Sequence, residues 1–252
     1  MSTAVHGSSV DIPTPDGTAD AYLTHPVGGG PHPAVLLYMD AFGLRPHLKS
    51  MADRLAAAGY VVLVPNVFYR YGKAPVAELP EYIDLAERPE IVQSLRPAAQ
   101  TLTPERAMRD AAVYLDWLAA SPLTTDGPVG LTGYCMGAGL ALRTAGAHPD
   151  RVAAAAGFHG ARLATDAPDS PHLLADRITA ELYFGHADQD AANPAEQIDR
   201  LDKALSAAGV RHRGEIYADA QHGYTQADTA SYSEEAAERH WTALLDLFAR
   251  RL

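Results

Sequence analysis

The stretch LTGYCMGAGLAL, Leu131–Leu142, holds the only cysteine of the chain, and its reading decides the fold. Upstream, GPVGLTG (127–133) is a short apolar run bounded by glycine, which predicts a buried strand. Downstream, GAGLALRTAGAHP (137–149) predicts a helix. Cys135 therefore stands where a strand turns into a helix, between Gly133 and Gly137. Gly-x-Cys-x-Gly at such a bend is the pattern of a nucleophile elbow with Cys in place of Ser. The glycines have a physical task, because the neighbours of a strained nucleophile pass so close that a Cβ would clash. At the start of the helix, free N–H groups and the dipole favour a thiolate and a developing oxyanion. A buried structural cysteine at a glycine-rich helix start gives the same local pattern, so the motif needs partners elsewhere.

Working outward, strands and helices alternate. ADAYLTHP (19–26) predicts an early strand, and AVLLYMD (34–40) and YVVLVP (60–65) are continuous apolar runs of strands buried on both faces. Between them HLKSMADRLAAAG (47–59) has helical spacing and ends at Gly59. Thr103 and Pro104 are a good N-cap and first helical residue for the next long helix. Three more strands are predicted at 151–158, 178–185 and 210–218, with a helix at 193–209 and an amphipathic closing helix at 231–252. The alternation predicts an α/β fold with a mostly parallel central sheet flanked by helices on both faces. Residues 1–252 read as a single domain. Residues 66–103, rich in Pro with no clear strand, read as an excursion with short helices over a pocket.

The bulk properties narrow the function. With 20 basic and 31 acidic side chains, the net charge of −11 argues against nucleic acid and anionic membranes as partners. No run is long enough to span a bilayer, no signal-peptide pattern opens the chain, and one cysteine makes no internal disulfide. A cytoplasmic protein is expected, as a monomer or small homo-oligomer.

Two further segments supply partners for Cys135. YFGHADQDAANP (183–194) places Asp188 just after a predicted strand, with Asp190 as a rival acid. YADAQHGYTQAD (217–228) places His222 in a loop before the closing helix. The order Cys135, Asp188, His222 is the nucleophile–acid–base order of the α/β-hydrolase fold. In this triad Cys135 attacks an acyl carbonyl, His222 moves the proton and Asp188 orients the imidazole. A metal held by His186, Asp188 and Asp190 is the less favoured alternative, because no second histidine cluster accompanies it.

The sequence resembles the dienelactone hydrolase (carboxymethylenebutenolidase) family over nearly its whole length. The resemblance rests on HPAVLLYMDAFGLRPHLKSMADRLAAAGYVVLVPNVFYR (32–70), GYCMG, GHAD and QHGY. It implies hydrolysis of a small ester or lactone through a cysteine thioester, with no cofactor and no metal. It also implies an oxyanion hole from the N–H groups of Ala41 and Met136, and an acidic residue, here Asp40 rather than Glu, that contacts the resting thiol and moves aside for substrate. Gln226 stands where the best-known members bind a substrate carboxylate with arginine, so such a carboxylate is not expected to be required. Arg70 matches a family arginine. Phe42, Tyr69, Arg70, Tyr134, His159, Tyr224 and Gln226 are the substrate-binding candidates at the same end of the sheet. A thioesterase or acyl-transfer enzyme with the same triad, and a non-catalytic ligand-binding protein on the same fold, are the alternatives.

Overall fold

The computed structural model describes residues 3–188 and 190–252. Its centre is an eight-stranded sheet in the order β1-β2-β4-β3-β5-β6-β7-β8. The strands are β1 (Val5–Thr14), β2 (Gly17–Pro26), β3 (Ala34–Tyr38), β4 (Val61–Pro65), β5 (Val129–Tyr134), β6 (Val152–Phe158), β7 (Glu181–Ala187) and β8 (His212–Tyr217). The helices are α1 (Pro46–Ala57), α2 (Glu90–Gln100), α3 (Pro104–Ala119), α4 (Met136–Ala147), α5 (Ala195–Ala207) and α6 (Glu234–Arg251). From β4 to β8 every neighbouring pair is parallel, whereas β2 runs antiparallel to both β1 and β4.

The apolar runs behave as their composition demands. Strands β3, β4, β5, β6 and β7 are buried at every position, so each must be covered on both faces. In β5 a Cβ on Gly130 would strike Phe248 of α6, and one on Gly133 would strike Gly137 of α4. Residues three apart on a strand point to opposite sides, so α6 covers one face and α4 the other. Thr103 caps α3 through Arg106 N, with Pro104 as its first residue. The sequence reading did not include β1. Its segment VHGSSVDIPT is polar, lies at the sheet edge beside β2, and buries only Ile12 fully, so it carries little hydrophobic period.

The excursion 66–103 contributes α2 and a satellite cluster of Ile83, Ile91 and Leu95, packed with Phe42 and Val76. Ile83 is tied to the His222 loop, its N–H donating to Asp228 O (2.8 Å) and its O accepting from Ala230 N (2.9 Å). The ends of β3, β5, β6 and β7, this excursion and the loop after β8 thus converge on one edge of the sheet. Ligands of parallel α/β sheets bind at that edge. Among the described residues no helix is long and apolar enough to cross a membrane.

Candidate active site

Cys135 lies between the end of β5 and the start of α4 with φ 54° and ψ −117°, a left-handed backbone that a side-chain-bearing residue rarely adopts. Surrounding structure holds it there. Cys135 N donates to Phe158 O (3.1 Å), and Cys135 O accepts from Ala138 N and Ala161 N (both 3.2 Å). Both flanking glycines are obligatory. A Cβ on Gly133 would sit 2.0 Å from Gly137 O, and one on Gly137 would sit 2.6 Å from the carbonyl oxygens of Tyr38 and Met39. The second contact presses the first turn of α4 against the end of β3. That contact brings the N–H of Met136 beside the segment that carries Ala41. Met136 is the first residue of α4, so its N–H has no intrahelical acceptor. The Ala41 N–H likewise has no acceptor among the described residues. The half-buried thiol and these two donors share one corner of the sheet edge.

His222 donates from Nδ1 to Asp190 Oδ2 at 2.6 Å, leaving Nε2 for the cysteine side. Burial works against charge on this ring, but the hydrogen bonds and charges of Asp190 and Cys135 outweigh it and raise the imidazole pKa to about 10. The carboxylate that orients His222 is therefore Asp190, and the sequence assignment of Asp188 is corrected. The cause is local. Strand β7 extends to Ala187, so Asp188 opens the turn, and its Oδ2 accepts from Asp219 N (3.2 Å) in the loop after β8. Asp190, two residues on, is folded back by its own Oδ1, which accepts from Ala192 N (2.8 Å), and its side chain is only 2% exposed. The metal alternative also fails on geometry. Among the described residues no three His, Cys, Asp or Glu side chains are grouped to hold an ion, and His186 stacks on Phe184 with its Nδ1 on the Asn193 amide.

Asp40 is buried at the end of β3, and Oδ1 accepts from Phe42 N (2.9 Å) and from Arg45 Nη1 (2.8 Å), while Oδ2 has no partner among the described residues. Arg45, missed in the sequence reading, organises this corner. Its Nε and Nη2 grip Asp228 (2.6 and 3.1 Å), Nη2 also reaches Gln226 Oε1 (3.0 Å), and the guanidinium lies 5.2 Å from the Phe42 ring centroid. Asp40 and Asp228 raise its pKa against the effect of burial. A Pro immediately after Arg45 was the only local signal, since it fixes Arg45 as the N-cap of α1.

Several substrate-binding candidates turn out to be structural. Gln226 is buried between Arg45 and Thr225. Tyr224 is buried with its OH on Gly185 O (3.0 Å). Tyr134 is buried against Phe158 with its OH on His240 Nε2 (3.1 Å). Tyr69 donates to Asp110, and Arg70 is bidentate to Asp110 (2.7 and 2.8 Å) and also holds Asp16. Each has its polar atoms committed to the fold. His159 is buried at φ 37°, with Nε2 2.8 Å from Thr225 Oγ1 and its ring 5.3 Å from that of His222. Burial, then the positive field of His222, push its pKa well below the ordinary value, so it is a neutral wall behind the base. Only Phe42 keeps a half-buried apolar face toward the excursion.

Comparison with known proteins shows the family and the fold. The model of the family described as "Dienelactone hydrolase family" matches residues 19–252. A Synechocystis sp. protein named "Putative carboxymethylenebutenolidase" is 28% identical, with the whole of both chains covered. A Rhodococcus opacus protein named "Carboxymethylenebutenolidase" is 28% identical over 99% of this chain and 94% of its own. Among solved structures, a "Putative Dienelactone Hydrolase" from Klebsiella pneumoniae superposes with a TM-score of 0.85 at 24% identity, covering 98% of this chain and 99% of that one, which shows the shared fold.

Proposed function

We propose that this chain, which belongs to the dienelactone hydrolase family, hydrolyses a small ester or lactone through a thioester on Cys135. The observation that carries the reading is the His222 imidazole, which is bonded to the buried Asp190 carboxylate while it acts on Cys135 at a strained elbow.

Each step follows from the atoms present. The Cys135 thiol passes its proton to His222 Nε2 as the sulfur adds to the acyl carbon, and the carbonyl oxygen takes the negative charge between the N–H groups of Ala41 and Met136. His222 Nε2 gives its proton to the leaving alkoxide as the C–O bond breaks, producing the thioester and an alcohol. For a lactone that alcohol stays attached to the acyl chain. Water then adds to the thioester carbon with its proton passing to His222. The C–S bond breaks, leaving the free acid and the original thiol–imidazole pair. Asp190 holds the ring so that Nε2 faces the sulfur throughout, and stabilises its cationic form. No electron or group from outside the substrate and water is needed.

Asp40 is proposed to meet the resting thiol through Oδ2, its unpaired oxygen. Its Oδ1 is held by the Phe42 N–H and by Arg45, so any withdrawal on substrate entry is a rotation about a braced side chain rather than a free swing. The direct test is mass spectrometry of the protein quenched during turnover of a p-nitrophenyl ester. An acyl adduct on Cys135 is expected. Normal turnover by Cys135→Ala would overturn the reading.

A further inference from the structure

A cleft of about 430 Å³ opens beside the elbow. One wall is a single stripe of α4, formed by Met136, Gly139, Leu140 and Arg143 at positions i, i+3, i+4 and i+7. The facing wall comes from the segment after β6 and begins with Ala161 and Arg162. Ala161 N donates to Cys135 O (3.2 Å), so this wall starts at the nucleophile's own carbonyl. The cleft therefore lies along α4 from Met136, the residue next to the nucleophile, to Arg143, eight residues and about 12 Å beyond Cys135.

Its two arginines differ from the others at this edge. Every nitrogen of Arg45 already donates within the fold, and Arg70 is saturated by Asp110 and Asp16. Arg143 is half-buried, and among the described residues it makes no hydrogen bond or ion pair. Burial lowers its pKa, and the charge of exposed Asp169, also on the cleft wall, opposes that shift. A guanidinium partly removed from water with no protein acceptor is a cost the fold does not recover by itself. Arg162 sits at φ 55°, with its backbone N–H on Ala192 O (2.9 Å) and its exposed side chain without a partner among the described residues. A left-handed arginine is strained, and such strain clusters at ligand sites.

We propose that this cleft takes the carboxylate of an elongated substrate, held between Arg143 and Arg162, so that esters carrying a remote carboxylate are preferred to neutral esters of equal length. The inference rests on the hydrolase reading for its substrate class. A carboxylate suits the guanidinium fork, and its single charge fits beside Asp169 better than a dianionic phosphate would. The apolar stripe of Met136 and Leu140 accommodates the connecting chain.

The test compares p-nitrophenyl hydrogen suberate with p-nitrophenyl octanoate in wild type, Arg143→Gln and Arg143→Lys. The wild-type ratio of kcat/KM should favour the suberate ester. Arg143→Gln should lower that ratio about tenfold, mostly through KM, with partial rescue by lysine. Asp169→Asn should raise it. In parallel, free suberate is titrated calorimetrically into Cys135→Ala, where binding should weaken with salt and vanish when Arg143→Gln is added. An equal ratio in wild type and Arg143→Gln, with suberate binding unchanged, overturns the proposal. If neither ester is turned over, the hydrolase reading fails, and the suberate titration alone decides the cleft.

Discussion

Replacing Asp190 by asparagine separates the two candidate acids by several orders of magnitude. Both carboxylate oxygens of Asp190 are occupied, Oδ2 by His222 Nδ1 (2.6 Å) and Oδ1 by Ala192 N (2.8 Å). Asparagine keeps one acceptor oxygen and places an NH2 group at the other site. If the oxygen stays with Ala192, the NH2 group faces His222 Nδ1 and forces the tautomer with its proton on Nε2, which cannot accept from the thiol. If the oxygen turns to His222, two donors collide at Ala192 and the loop must move. Either way the carboxylate charge that supports the imidazolium is gone. Loss of the orienting acid in a triad of this kind costs about 10³–10⁴ in kcat, equivalent to about 4–5.5 kcal/mol of barrier. Asp188 accepts one bond, from Asp219 N at 3.2 Å, and asparagine can keep it, so Asp188→Asn should change kcat only a few-fold. The assay is hydrolysis of p-nitrophenyl acetate by both purified variants, with circular dichroism confirming the fold. A larger loss from Asp188→Asn than from Asp190→Asn, both folded, would refute the assignment.

Other expectations follow from the same geometry. Cys135→Ala and Cys135→Gly should both abolish turnover, and Cys135→Gly should have the higher thermal midpoint of the two, because glycine relieves the left-handed strain at the elbow that alanine keeps; calorimetry and a progress curve check both halves. Arg45→Met should destabilise the fold by about 3–5 kcal/mol by stranding the Asp40 and Asp228 carboxylates, read from urea unfolding, and Arg45→Lys should recover only part of it because one ammonium cannot reach three acceptors. The pKa of His222 is raised from 6.5 to about 10 in the folded chain, so its contribution to stability is complete below pH 6.5 and is lost as pH rises through about 10; unfolding free energy should fall across that window, less steeply in Asp190→Asn. Asp40→Asn should speed alkylation of Cys135 by iodoacetamide in the empty site, and an unchanged rate across pH would show that Asp40 does not meet the thiol.

How far the sequence could be read depended on the kind of signal each element left. Buried parallel strands are continuous apolar runs, so β3 to β7 and the elbow between β5 and α4 were legible, down to the two glycines whose absent Cβ atoms make the turn possible. The hairpin strand β1 was not, because an edge strand that buries only one of its positions leaves no hydrophobic period. Among the candidate site residues, Cys135 and His222 were read from motif and order and lie together in the structure, whereas the carboxylate bonded to His222 lies two positions beyond the one the sequence reading chose. Nothing in GHADQD distinguishes which aspartate turns inward; the end of β7 and the Asp190–Ala192 turn decide it in three dimensions. The tyrosines were overread for a related reason. An aromatic residue beside a catalytic motif looks like a ligand in sequence, yet Tyr134 and Tyr224 bury their rings and satisfy their hydroxyls within the core.

Arg45 shows why the charge of this site could not be inferred from any single position. Gln226 alone suggests that the pocket has no cation near His222. The structure instead supplies one from the start of α1, and places Gln226 as one of its acceptors. That guanidinium cannot also serve a substrate. Its Nε, Nη1 and Nη2 hydrogens are distributed over Asp40, Gly43 O, Gln226 and Asp228, and it joins the β3 corner to the His222 loop. A substrate carboxylate arriving there would have to displace the buried Asp40 and the half-buried Asp228 from the same cation, and would meet the second oxygen of Asp40 as a like charge. Recognition of an anionic group close to the scissile bond is therefore disfavoured by the folded arrangement itself, and a neutral substituent fits there better. Of the arginines without a protein partner among the described residues, Arg143 lies on α4, about 12 Å from Cys135 by helix rise, and Arg162 on the facing wall of the cleft. The chain thus separates two tasks along one axis: the corner of Asp40 and Arg45 shapes the reacting end, and Arg143 selects the far end of the substrate by its charge.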